Sequence, residues 1–186
     1  QLEELVKRQF PSARVLRMDM DTTKAKDGHE KILETFANEE ADILIGTQMI
    51  VKGHDFPNVT LVGILAADMS LYSNDYRAGE RTFQLLTQAA GRAGRGSSKG
   101  EVIIQTYSPQ HYSIQMAAAQ DYEGFYKEEM DYRELMGYPP VEQLLAVLMT
   151  GPDEGMLETA ARYLKEFAQL ADKDKELQII GPASPY

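Results

Sequence analysis

The chain has 186 residues, 43% of them hydrophobic and 26% charged, the balance of an ordinary globular protein able to bury a sizeable core. It has no cysteine, which excludes disulfides and thiolate metal sites within it, and His29, His54 and His111 show no ligand spacing. The net charge of −10 argues against a nonspecific polyanion binder, and the acidity comes late: residues 1–100 hold 13 basic and 14 acidic side chains, residues 101–186 hold 6 and 15.

In chain order, residues 13–18 lean apolar and are expected as a strand. Residues 26–37 carry Ile32, Leu33 and Phe36 on one helical face. The unbroken run Ile43-Leu44-Ile45 within 42–46 suits a buried parallel strand, and 59–65 and 101–107 read the same way. Between them, 77–90 is expected as a helix packing through Phe83, Leu85, Leu86 and Ala89. Pro109 restarts the chain, and a helix through 114–119 follows. Strands alternating with helices indicate an α/β domain with a mostly parallel sheet, expected to end near residue 120. Beyond it, 121–136 reads as an acidic helix bearing Tyr122, Phe125, Tyr126 and Tyr132, ended by Gly137 and Pro139-Pro140. Aromatics at helical spacing are expected in a core; the alternative, a contact surface for DNA or a partner, is disfavoured by the acidity. A strand at 141–150, a long helix at 153–172 and a strand at 177–180 suggest a partial α+β C-terminal domain over 121–186.

No stretch approaches the roughly 20 apolar residues of a membrane span, and residues 1–8 are charged and amphipathic rather than signal-like. A cytoplasmic protein with no membrane partner is expected. A chain opening on Gln1 rather than Met is expected to be a piece of a longer protein.

Two segments carry candidate chemistry. In Gln88-Ala-Ala-Gly91-Arg92-Ala-Gly94-Arg95-Gly96, a helical turn would point Arg92 and Arg95 the same way, and two guanidinium forks suit a γ-phosphate. The glycines would permit close approach. The plain alternative is a Gly/Arg turn that merely ends a helix. In Ile43-Leu-Ile-Gly46-Thr47-Gln48-Met-Ile-Val-Lys52-Gly53-His54-Asp55-Phe56-Pro57, a buried strand delivers a loop at its carboxyl end, where α/β sheets bind ligands. Thr47 offers a hydroxyl to a phosphate, Gly53 permits backbone approach, and Asp55 could accept from ribose hydroxyls. Here the alternative is a turn at Gly53 and a helix cap at Asp55. A third feature, Asp153-Glu154, could pass for an acidic Mg²⁺ box, but it reads as a helix start with acidic residues in its first turn.

Together and in this order, the two segments resemble motifs V and VI of superfamily 2 helicases. A longer text is similar to the bacterial replication-restart helicases. It comprises Arg17-Met-Asp-Met-Asp-Thr-Thr23, Gly46 through Val59, Tyr76 through Arg95, Val102-Ile-Ile-Gln-Thr-Tyr107 and Tyr138-Pro-Pro140. The resemblance covers essentially the whole chain, most densely 13–140, and generic helicases lack the Gly53–Pro57 text.

The resemblance implies a second RecA-like lobe, a parallel sheet with helices on both faces, closing over ATP held mainly by a first lobe that carries the phosphate loop and the Mg²⁺ box. By it, Arg95 corresponds to the arginine finger, Arg92 to its γ-phosphate partner, and Gln88 to the residue coupling motif VI to the nucleotide and the other lobe. Gly53 and Asp55 correspond to ribose-side contacts. Thr47 corresponds to the hydroxyl on a DNA backbone phosphate, with Lys52 assisting and Arg17 near motif IV. Implied partners are branched or forked DNA, single-strand DNA-binding protein, and primosome and helicase-loading proteins. The family's zinc module precedes this region and is absent from the chain, as is any Gly-x-x-x-x-Gly-Lys-Ser/Thr loop. The chain alone is therefore expected to be inactive. Two other readings stay open: another superfamily 2 translocase, of branch migration or repair, and a non-enzymatic RecA-like binding module.

Overall fold

The computed structural model describes residues 1–19, 28–47, 56–94 and 99–184. The chain divides into two compact units, Gln1–Glu142 and Gln143–Tyr186. The first contains α1 (Leu2–Gln9), β1 (Val15–Met18), α2 (Gly28–Ala37), β2 (Ile43–Gly46), β3 (Leu61–Ile64), a 3-10 helix (Ala67–Tyr72), α3 (Ala78–Ala90), β4 (Glu101–Ile104), α4 (Tyr112–Ala119) and α5 (Tyr122–Met136).

The four expected strands of this unit form, in parallel pairs, but each is only four residues long. β1 pairs with β2, Val15 facing Ile43 and Met18 facing Gly46, and β3 pairs with β4, Leu61 facing Glu101 and Ile64 facing Ile104. The first pair starts late because Arg14 and Asp42 are used as a clamp. The Arg14 amide donates to Asp42 Oδ2 at 2.8 Å and the guanidinium to Oδ1 at 2.7 Å. That side-chain bond, with the amide second, lowers the Asp42 carboxyl to about 2.

The sequence predicts one sheet with helices on both faces. Among the described residues there are instead two two-stranded sheets. Each lies beside its own apolar cluster. Met18, Leu33 and Phe56 make one; Ala67, Phe83, Leu86, Ile114, Ala117 and Phe125 make the other. On β3–β4, Ile64 and Ile104 pack against the second cluster, while Leu61 and Ile103 on the alternate face are 56% and 53% exposed. Helical covering of that sheet is thus one-sided among the described residues.

Helix α3 buries Phe83, Leu86 and Ala89 as expected, with Leu85 half-buried. Helix α5 is capped by Asp121, whose carboxylate accepts from the Gly124 amide at 2.8 Å, and closed by Gly137 at φ 63°. Only Phe125 of its aromatics is buried, stacked on Phe83 with ring centroids 4.0 Å apart; Tyr122, Tyr126 and Tyr132 are exposed. The rest of its inner face is charged. Buried Arg133 donates to Glu129 Oε1 at 2.8 Å, to Glu80 Oε2 on α3 at 2.7 Å, and to the Pro139 carbonyl at 2.9 Å. The Tyr112 hydroxyl of α4 donates to Glu129 Oε2 at 2.7 Å. Burial first, then that carboxylate, push the Tyr112 hydroxyl well above its ordinary value, so it stays a donor. Gly79 makes the room: a Cβ there would lie 2.8 Å from the Tyr112 hydroxyl and 2.9 Å from Glu129 Oε2. These bonds tie α5 to α3 and α4 within the first unit.

In the second unit, α6 (Glu154–Ala171) follows Asp153, whose carboxylate accepts from the Met156 amide at 2.9 Å. The acidic pair is a helix start, as read from the sequence. The strands expected at 141–150 and 177–180 do not form. Apolar composition favours burial, but a strand exists only against a partner, and Leu145 and Ile180 remain 92% and 86% exposed. No described helix is long and apolar enough to cross a membrane, and no group of three His, Cys, Asp or Glu among the described residues could hold a metal.

Two outcomes follow from the packing. Arg133→Ala leaves Glu129 buried without its cation and should cost about 3–5 kcal/mol in denaturant unfolding. His111 caps α4, its Nδ1 accepting from the Ser113 amide at 3.2 Å, and burial lowers its pKa below the ordinary 6.5. The unfolded chain therefore takes the proton first as pH falls through about 6.5. The cap's stability is fully present above that pH and is lost as pH drops through the folded value. The melting temperature should fall between pH 7.5 and 5.5, and His111→Asn, a cap that does not titrate, should flatten that fall.

Candidate functional site

Helix α3 runs into the arginine segment. Its last residue is Ala90; the Gly91 amide bonds to the Thr87 carbonyl at 2.9 Å, Arg92 to Ala89 at 3.1 Å, and Ala93 to Ala90 at 3.2 Å. These bonds tighten the last turn. Gly94 then takes φ 73°, a left-handed conformation that breaks the helical path. The expected alignment of Arg92 and Arg95 by a helical turn depends on a residue beyond this glycine. Gln88 is exposed on α3 and Arg92 is half-buried in the turn after it. Arg95 lies outside the described residues.

The ends of the arginine loop are fixed by one short stretch of backbone. The Gly94 amide donates to the Val59 carbonyl at 3.0 Å, and the Glu101 amide to the Thr60 carbonyl at 2.8 Å. Between these bonds the chain pinches: a Cβ on Gly94 would sit 2.5 Å from the Gly100 nitrogen, and one on Gly100 would strike the Gly94 nitrogen. The segment's glycines are expected from the sequence to open space for a phosphate. Gly94 lets two backbones touch, and its partner is Gly100, which belongs to neither motif.

Thr47 is exposed at the carboxyl end of β2. Arg17 faces Ile45 across the β1–β2 pair, is exposed, and is ion-paired with Asp19. These two DNA candidates therefore share one end of one sheet. Gly53, Asp55 and Lys52, with Gln48, lie outside the described residues. The chain returns at buried Phe56, edge-on to Phe36 at 5.1 Å, and goes directly to Val59 and Thr60. So the segment that begins at Thr47 ends on the two carbonyls that hold the arginine loop. Arg17 and Thr47 thus stand toward the carboxyl end of the β1–β2 pair, and Gln88 and Arg92 at the end of α3.

Residues 1–97 match the helicase conserved C-terminal domain family. Over 185 residues the chain is 50% identical to replication restart protein PriA of Bacillus subtilis (strain 168), covering 99% of this chain and 23% of that protein. Identity to the replication restart protein PriA of Synechocystis sp. is 43% over 182 residues, 97% of this chain and 22% of that one. For the Haemophilus influenzae protein of the same name it is 41% over 182 residues, 98% and 25%. The chain thus spans about a quarter of the length of the curated relatives it matches.

The pinch separates the glycines by role. Gly94→Ala and Gly100→Ala should each cost about 1–3 kcal/mol in denaturant unfolding, through left-handed strain or backbone collision. Gly91→Ala, whose Cβ would meet the Thr87 carbonyl at an ordinary 3.4 Å, should stay within about 0.5 kcal/mol of wild type.

Proposed function

The chain belongs to the helicase conserved C-terminal domain family, and on that footing we propose that it is the second RecA-like motor lobe of an ATP-dependent DNA helicase that restarts stalled replication forks. The observation that carries this reading is the arginine turn after α3, tied through Gly94 to Val59 at the end of the segment that starts at Thr47. A tether of this kind lets one lobe couple a phosphate-facing turn to a DNA-facing loop.

In this reading Arg95 stabilises charge on the transferring γ-phosphoryl group, Arg92 pairs with the γ-phosphate, and Gln88 links the turn to the facing lobe. Gly53 and Asp55 meet the ribose. Thr47 grips a DNA backbone phosphate, with Lys52 assisting and Arg17 contributing from β1. The arginines reach ATP only when the lobes close, so hydrolysis follows lobe motion. The two segments meet where the Gly94 amide donates to the Val59 carbonyl.

ATP with Mg²⁺ is held mainly by the first lobe, and zinc by the module preceding this region; neither ion has a cluster of donors among the described residues here. Hydrolysis by this chain alone is not expected, because it holds no phosphate loop. Branched or forked DNA, single-strand DNA-binding protein, and primosome and helicase-loading proteins are the partners of this reading, in the bacterial cytoplasm. Residues 121–186 open the C-terminal α+β domain, with α5 as the part that packs on the lobe.

The test is DNA-stimulated ATP hydrolysis by the full-length protein on a forked substrate. Arg95→Ala should fold, bind ATP and lose at least about 100-fold in kcat, the cautious end of what arginine fingers supply. An Arg95→Ala protein as fast as wild type overturns the assignment.

A further inference from the structure

We propose that Arg133 is a positioning residue for ATP hydrolysis, clamping α3 to α5 so that the Gln88–Arg92 end of α3 is presented in one orientation; this rests on the motor-lobe reading above. Glu80 stands at the start of α3 and accepts from Arg133 at 2.7 Å. One turn on, Phe83 stacks on Phe125, centroids 4.0 Å apart and planes 10° from parallel. Residues three apart share a helix face, so α5 holds α3 at two points along its axis. Two points fix tilt as well as distance.

The lever is long. From residue 80 to residue 92 the helical rise amounts to roughly 18 Å. A tilt of about 10° at the clamp would move the arginine turn by roughly 3 Å over that length. A misplacement of about 1 Å at a reacting centre already costs on the order of 100-fold in rate.

The chemistry of the clamp also points to direction rather than cohesion. A buried ion pair is often no more stabilising than an apolar pair of similar volume. A planar guanidinium with three fixed acceptors, however, sets angles that apolar contact leaves loose. Those acceptors lie on three segments: Glu80 on α3, Glu129 on α5, and Pro139 where the chain leaves α5. Arg133 therefore registers all three against one another.

The experiment measures kcat and KM for ATP in the full-length protein, with saturating forked DNA, well below the melting midpoint of each variant. Glu80→Ala removes the tie to α3 and leaves Arg133 bonded to Glu129 and Pro139. Its kcat should fall at least about tenfold with KM within about twofold. Glu80→Gln, whose amide oxygen still accepts from Arg133, should recover most of the rate. Arg95→Ala is assayed beside them. If it is inactive while Glu80→Ala keeps wild-type kcat, or loses only in KM, the positioning role is overturned and the motor-lobe reading stands. The role is also overturned if Glu80→Gln is as slow as Glu80→Ala. If Arg95→Ala matches wild type, the reading itself fails and takes this inference with it. Should Glu80→Ala not fold, Glu80→Asp, one methylene short, decides: lost kcat supports the clamp, wild-type kcat overturns it.

Discussion

A parallel pair of strands has no hairpin to close it, so its register depends on what holds the first residues of both strands together. Each sheet here is clamped at that point, and by different chemistry. β1–β2 is clamped by Arg14 on Asp42, an exposed ion pair reinforced by a backbone amide. Exposed pairs contribute little net stability, but this one decides which residues face which. With the Asp42 carboxyl at about 2, it stays charged at any physiological pH. β3–β4 is clamped by backbone alone, through the carbonyls of Val59 and Thr60. That clamp carries no charge to screen or titrate.

The backbone clamp does double duty. The amides it captures, Gly94 and Glu101, flank the arginine segment, so the same two carbonyls hold the sheet and both ends of that segment. Helix α3 approaches the loop from the other direction and is fixed at its far end by Arg133 and Phe125. The arginine turn therefore lies between two supports, one on the sheet and one on α5.

Much of this is legible in the sequence, for physical reasons that differ by element. The four strands of the first unit and helices α2 to α6 announce themselves by periodicity and by stop residues such as Gly137. Asp153 reads correctly because a cap is a local device, complete within four residues. The charged core of α5 is not legible. Glu129 and Arg133 are four apart, the spacing of a solvated pair, and only Gly79 and Tyr112, far away in the chain, make their burial possible. The strands expected at 141–150 and 177–180 fail for the complementary reason: an apolar run states that a segment should be covered, not what covers it. The 3-10 helix Ala67–Tyr72 carries no periodic signal. At the site, Gln88, Arg92, Thr47 and Arg17 have a place in the structure. Arg95, Lys52, Gly53 and Asp55 are legible as motif text alone, and the carbonyls of Val59 and Thr60 have no side-chain signature to read.

The pinch between Gly94 and Gly100 has a consequence for how such a sequence can vary over time. Because both necks are bonded to fixed carbonyls, the distance between them is independent of how many residues lie between. Lengthening a closed loop costs little, about 0.6 kcal/mol per doubling. Insertions and deletions among 96–99 should then be nearly neutral to the fold, while replacement of either glycine is costly. In a collection of descendants, length would drift in the middle of this segment and stay frozen at its two ends.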